Sequence, residues 1–157
     1  MSRKIIFDIE ADNIYDNATT CHLLVAKQQY KQKHLILRGD NEVKTFSSKL
    51  VKGDWLIGHN ILGFDVPLFS KLYLQPVNQY TFNGIKVQYF DTYYASMYLY
   101  PDRESHSLAS WGEELGFPKG DHNDWSKWSQ EMEDYCIRDV DLTEKLFNKL
   151  VVEVCQQ

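Results

Sequence analysis

The sequence has no apolar run approaching the roughly 20 residues that a bilayer-spanning helix requires. Its start, Met1-Ser2-Arg3-Lys4, leads straight into a strand-like segment rather than a signal-peptide core. A cytoplasmic protein is expected, with no membrane partner. Cysteine is scarce: Cys21, Cys136 and Cys155 are odd in number and form no Cys-x-x-Cys pair. This argues against a disulfide framework and against a thiolate zinc site. No glycine-serine linker, low-complexity tract or repeat divides the chain, so residues 1–157 are expected to form a single domain. Excess positive charge is also missing. The formal charge of −5 argues mildly against tight nucleic-acid binding through the chain's own cations. A site that collects carboxylates contributes negative charge itself, however, and bound divalent cations reverse it locally.

Hydrophobic residues at 43% and aromatics at 14% exceed what a disordered polar chain carries, so a packed core is expected. Lys4 to Glu10 reads as a buried strand, His22 to Lys27 and Lys33 to Arg38 as two more, with Gln28 to Gln32 as their turn. Trp55 to Ile57 and Ile85 to Phe90 complete five strands. Val66 to Leu74, Thr92 to Tyr100, Ser107 to Leu115 and Ser129 to Val154 read as helices. This order predicts an α/β fold with a mixed five-stranded sheet flanked by helices: three adjoining strands first, then two reached by helical crossovers. Gly53, Gly58, Gly63, Gly84 and Gly120 fall at segment boundaries, and Pro118 to Asp124 reads as a solvated connection.

Several carboxylates stand where apolar residues belong. Asp8 and Glu10 are two positions apart on a core strand, so they share one face while Phe7 and Ile9 point the other way. Two adjacent buried acids raise each other's pKa unless cations lie between them. In the last helix Met132, Tyr135, Cys136, Val140, Leu142, Thr143, Leu146, Phe147 and Leu150 form one apolar stripe. Asp139 lies within that stripe. Glu133, Asp134, Asp141 and Glu144 take the flanks, which leaves Asp139 as the single inward-facing carboxylate, one turn after Tyr135. Inward acids on two separate elements favour a metal centre over a structural acceptor. Between these segments, Gly58 to Asp65 forms a strand-to-helix junction that brings Asn60, Phe64 and Asp65 to the carboxyl edge of the sheet, a common ligand site. On this segment alone, Asp65 is equally readable as an N-cap before Val66-Pro67.

Taken together, Phe7-Asp8-Ile9-Glu10, Asn60 to Asp65 and Tyr135-Cys136-Ile137-Arg138-Asp139 resemble, in order and spacing, the three exonuclease motifs of the DnaQ-like family. The Tyr-x-x-x-Asp spacing matches its tyrosine subgroup (DEDDy); where the related subgroup carries histidine, this chain has Asp134. A closer resemblance is to the proofreading domain of bacteriophage family A DNA polymerases. It rests on Asp8-Ile9-Glu10-Ala11, His59-Asn60, Asp91-Thr92 and the His-x-Leu-x-x-Trp-Gly run from His106 to Gly112. The resemblance implies a ribonuclease-H-like fold and a 3′→5′ exonuclease that uses two divalent metal ions, Mg²⁺ or Mn²⁺. In that scheme Asp8 bridges both ions, Glu10 and Asp139 complete the site of the attacking water, and Asp65 holds the second ion. Tyr135 orients the water. Asn60 and Phe64 hold the terminal nucleotide, with His59 beside the substrate. The implied partner is single-stranded DNA or a frayed 3′ end; the polymerase region of those relatives does not follow here, so the expectation is either a stand-alone exonuclease or one that works with a separately encoded DNA polymerase.

Other readings have less behind them. His59 and His106 have no zinc-ligand spacing around them, and Ile14 occupies the place where a calcium loop following Asp8, Glu10 and Asp12 requires glycine. Lys27, Lys31 and Lys33 read as solvated turn lysines. An RNA 3′→5′ exonuclease is a close variant. A catalytically idle, polymerase-associated binding subunit is the alternative class, and it gives no reason to gather four carboxylates beside phosphate.

Overall fold

The computed structural model describes residues 2–157. Its centre is strand β1 (Lys4–Ala11), whose β-branched, apolar residues suit a strand covered on both sides. Strands β2 (Cys21–Gln28) and β3 (His34–Arg38) follow as an antiparallel meander. A short helix α1 (Gly39–Val43) and a 3₁₀ segment (Lys44–Lys49) then return the chain to the other side of β1. There β4 (Trp55–Gly58) pairs parallel with β1. Helix α2 (Asp65–Tyr73) is followed by a small meander of β5 (Val77–Asn78), β6 (Thr81–Phe82) and β7 (Ile85–Lys86). Strand β8 (Gln88–Asp91) closes the main sheet, parallel to β4, in the order β3-β2-β1-β4-β8. Helices α3 (Thr92–Leu99), α4 (Leu108–Glu114) and α5 (Gln130–Gln156) complete the chain.

The expected mixed five-stranded sheet is present, and two cores form on its faces. Alternation along β1 sends Phe7 and Ile9 into one core, where Phe46, Phe69 and Phe82 pack. Ile6 enters the other, under Cys136, Val140 and Phe147 of α5. Helices α3 and α4 lean on the same long helix through the buried Trp111, Leu142, Leu146 and Leu150. Among the described residues no helix is long and apolar enough to cross a membrane.

Three local expectations need correction. The run Ile85 to Phe90 is not one strand. It breaks at Val87, whose N–H bonds to Tyr80 O at 3.0 Å and whose side chain is buried, so the first part joins the small sheet and the second the main one. The helical stretch between Gly39 and Lys49 and the hairpins around Tyr80 were not anticipated, being too short for a period to register. Finally, Glu133 is buried on α5 at 3% exposure, so Asp139 is not the only carboxylate that faces inward. Arg38 of β3 reaches Glu133 with Nε at 2.7 Å and Nη2 at 2.6 Å, a bidentate pairing that offsets its burial.

Candidate active site

β1, β4 and β8 run parallel and end on the same edge, and the predicted site residues gather there. Asp8, Glu10, His59, Asn60, Phe64, Asp65, Tyr135 and Asp139 line one cleft of about 250 Å³. Each arrives by a different local device. Asp8 and Glu10 occupy the face of β1 turned towards α5, and Asp139 meets them from the buried stripe of that helix. Asp65 does not cap α2: the N-cap is Phe64, without a side-chain bond. Instead Asp65 Oδ1 accepts the Ile9 N–H at 2.8 Å, past the point where β4 pairs with β1. That bond pins the start of α2 between the two acids of the strand.

The loop from Gly58 to Phe64 is held by a residue whose role the sequence did not reveal. Asp91, at the end of β8, accepts the N–H groups of Asn60, Leu62 and Tyr93, each at 2.9 Å. Its neighbour Thr92 donates its hydroxyl to Gly58 O at 3.2 Å, so the 2.8 Å contact between His59 Nδ1 and that hydroxyl has the histidine as donor. His59 Nε2 is then a bare acceptor, buried and without a hydrogen-bond partner within the protein. Burial lowers the His59 pKa to about 4, which keeps the ring neutral. Gly58 has no room for a side chain, since a Cβ would stand 2.1 Å from Ile61 Cγ2.

Lys119 was also missed. It lies in the stretch read as a solvated connection, yet its Nζ sits 3.0 Å from Asp139 Oδ2 and donates to the Tyr135 hydroxyl. The cause lies in α4. A Cβ on Gly112 would come within 2.8 Å of Phe117 O and 3.1 Å of Lys119 N, so glycine lets the following segment cross close over the helix and deliver the lysine. Arg138 Nε anchors the same segment at Pro118 O, a bond of 2.5 Å.

The electrostatics are those of an overcrowded anionic centre. Burial is the main force raising the pKa of all four carboxyls. Repulsion from Asp8 adds to it at Glu10, Asp65 and Asp139, and Asp139 is pushed up to about 7 despite Lys119. Burial alone would lower the Lys119 ammonium's pKa; Asp139 and Tyr135 more than reverse this. Cys136 Sγ lies 3.5 Å from Asp8 Oδ2, but burial and the surrounding acids hold the thiol well above its usual range, so it serves as a neutral donor. With all four carboxylates ionised, one ammonium would leave an excess of negative charge. Asp139 Oδ1, buried and without a hydrogen-bond partner in the protein, marks where it is least compensated. Crowded carboxylate oxygens with an orphaned acceptor fit hard divalent cations.

Known proteins share this architecture. No protein-family model matches the chain. The DNA-directed DNA polymerase of Enterobacteria phage T3 is 24% identical over 186 aligned residues, covering 94% of this chain and 26% of the polymerase. The chain thus spans about a quarter of the length of the curated relatives it matches. Brucella melitensis NrnC with bound Mg²⁺ superposes with a TM-score of 0.74 at 15% identity, over 99% of this chain and 75% of that one. The fold is that of the DnaQ-like exonucleases. A second example of the DnaQ-like fold is Escherichia coli RNase D, an exoribonuclease involved in structured RNA processing. It gives a TM-score of 0.71 at 16% identity, over 97% of this chain and 40% of that one.

Proposed function

We propose that the chain is a divalent-cation-dependent 3′→5′ exonuclease that releases nucleoside monophosphates from DNA 3′ ends, proofreading or trimming in association with a DNA polymerase. The observation that carries this reading is the convergence of Asp8, Glu10, Asp65 and Asp139 on one cleft at the carboxyl edge of the sheet. Its relatedness to a phage DNA polymerase supports DNA as substrate. Two Mg²⁺ or Mn²⁺ ions held by these four carboxylates would make a water acidic enough to attack near neutral pH and offset the charge on the leaving 3′ oxygen. The chain's own residues do the positioning. Tyr135, its pKa raised chiefly by burial, keeps its proton and orients the attacking water through its hydroxyl. Asn60 and Phe64, at the mouth of the cleft, hold the terminal nucleotide by hydrogen bonding and stacking. His59, which also lines the cleft, stands beside that nucleotide. Lys119 neutralises part of the carboxylate charge, and with cations bound its flexible stem would let the ammonium turn to a phosphate.

RNA is the second reading, favoured by the likeness to RNase D. Digestion of 3′-labelled and 5′-labelled single-stranded DNA and RNA with Mg²⁺, Mn²⁺ or EDTA tests both. Stepwise mononucleotide release from DNA 3′ ends, abolished by EDTA, is expected. Faster release from RNA would transfer the activity to the second reading, and no cation-dependent release from either would overturn the proposal.

A further inference from the structure

At the other end of the sheet, on the face of β1 turned away from the carboxylates, lies a groove of about 360 Å³. Its floor is apolar, made by Ile5, Leu35, Phe46 and Leu50, and Lys31, Lys33 and Lys49 stand around it. The neighbouring basic side chains are already paired: Lys27 with Glu144 at 2.9 Å, His34 with Asp141 at 2.7 Å and Arg3 with Asp54 at 2.6 Å. Among the described residues the three rim lysines have no carboxylate partner within salt-bridge distance, in a chain whose net charge is −5. Lys52 and Lys86 line a second recess at this edge and, among the described residues, are likewise in no salt bridge. Positive charge is therefore gathered at the amino edge, opposite the acidic cleft.

We infer that this groove docks an acidic segment of a protein partner, with one apolar side chain seated against the half-buried Leu35, above the buried Ile5, Phe46 and Leu50, and flanking carboxylates on Lys31, Lys33 and Lys49. The charge complementarity is specific, because carboxylates brought by a partner would meet ammonium groups that have no carboxylate partner among the described residues. A recess with an apolar floor and a charged rim is the usual form of an interface anchor. Nucleic acid fits less well. Ile5 is five positions from Glu10 on β1, about 17 Å along the strand, and its side chain leaves the opposite face. A strand with its 3′ end in the cleft would have to fold around the sheet edge to reach the groove. The aromatic ring of the floor, Phe46, is 1% exposed and offers no surface on which a base could stack.

The test uses fluorescent eight-residue peptides with glutamates flanking a single Leu, Phe or Trp, and a single-stranded oligothymidine of equal charge, titrated into the full chain. At least one peptide should bind with a Kd of about 100 µM or tighter. Its amide shifts should centre on residues 31–36 and 46–50. The exposed Lys33→Glu/Lys49→Glu double variant, checked for unchanged circular dichroism and melting, should weaken binding about tenfold or more. No peptide binding, shifts centred elsewhere, or retention of affinity in the double variant would each overturn the inference. Tighter binding of the oligothymidine at the same residues would overturn it in favour of a nucleic-acid track. None of these readouts depends on nuclease activity.

Discussion

Asp139 carries the clearest residue-scale consequence, because its carboxyl is raised to about 7 from the ordinary 3.8. The folded protein then holds a proton that the unfolded chain has already released, so between about pH 4 and pH 7 each rise in pH favours unfolding. Asp139→Asn has no such proton to lose. In EDTA, the urea midpoint of this variant relative to the wild type should climb across that window and level off above it; a difference that does not vary with pH would mean the carboxyl titrates normally. Taking the difference also removes His59, which acts in the opposite direction, since its neutral ring gains stability as pH rises from about 4 towards 6.5. Turnover separates the roles further. Asp139→Ala should fall to background with the fold preserved, whereas Tyr135→Phe, which keeps the ring but loses the hydroxyl, should slow single-turnover cleavage by roughly 10- to 100-fold. Equal losses would make Tyr135 more than a water-orienting group.

Elements differ in how far the sequence alone could place them. The strands of the main sheet and the long helices have periods that span several residues, and their ranges came within a residue or two of those observed, apart from the run that splits at Val87. Asp139 was legible because it interrupts the apolar stripe of α5, and Asp8 with Glu10 because they share a face of a core strand. Glu133 was not, because its partner Arg38 lies 95 positions away and no local pattern records it. Lys119 was hidden for the same reason: its arrival depends on the close crossing that Gly112 permits over α4. Gly112→Ala tests that dependence. Its Cβ meets backbone rather than a flexible side-chain end, so the segment from Phe117 to Lys119 must shift. We expect near-native circular dichroism with a loss in kcat on the order of tenfold or more. Full activity would show that the crossing has no bearing on the site.

Across the whole molecule, the carboxyl edge of the sheet gathers acids and the amino edge gathers lysines. Divalent cations should therefore act on folding as well as on turnover, since a ligand that binds only the folded state stabilises it by about 2.7 kcal/mol at a hundredfold excess over Kd. Mg²⁺ should raise the melting temperature by several degrees, and Glu10→Gln should blunt the rise while melting no lower than the wild type in EDTA, because it removes one of the repelling charges. A Mg²⁺ response unchanged by Glu10→Gln would exclude this carboxylate from cation binding. The alternation of β1 reaches beyond the finished protein to its assembly. This strand lies between β2 and β4, with Phe7 set against Phe46 at 5.3 Å on one side and Asp8 and Glu10 on the other. A slip of a single position would drive both acids among the phenylalanines and strand Phe7 in the cleft. The two carboxylates thus act as sentinels during assembly, because a misregistered sheet has nowhere to put them.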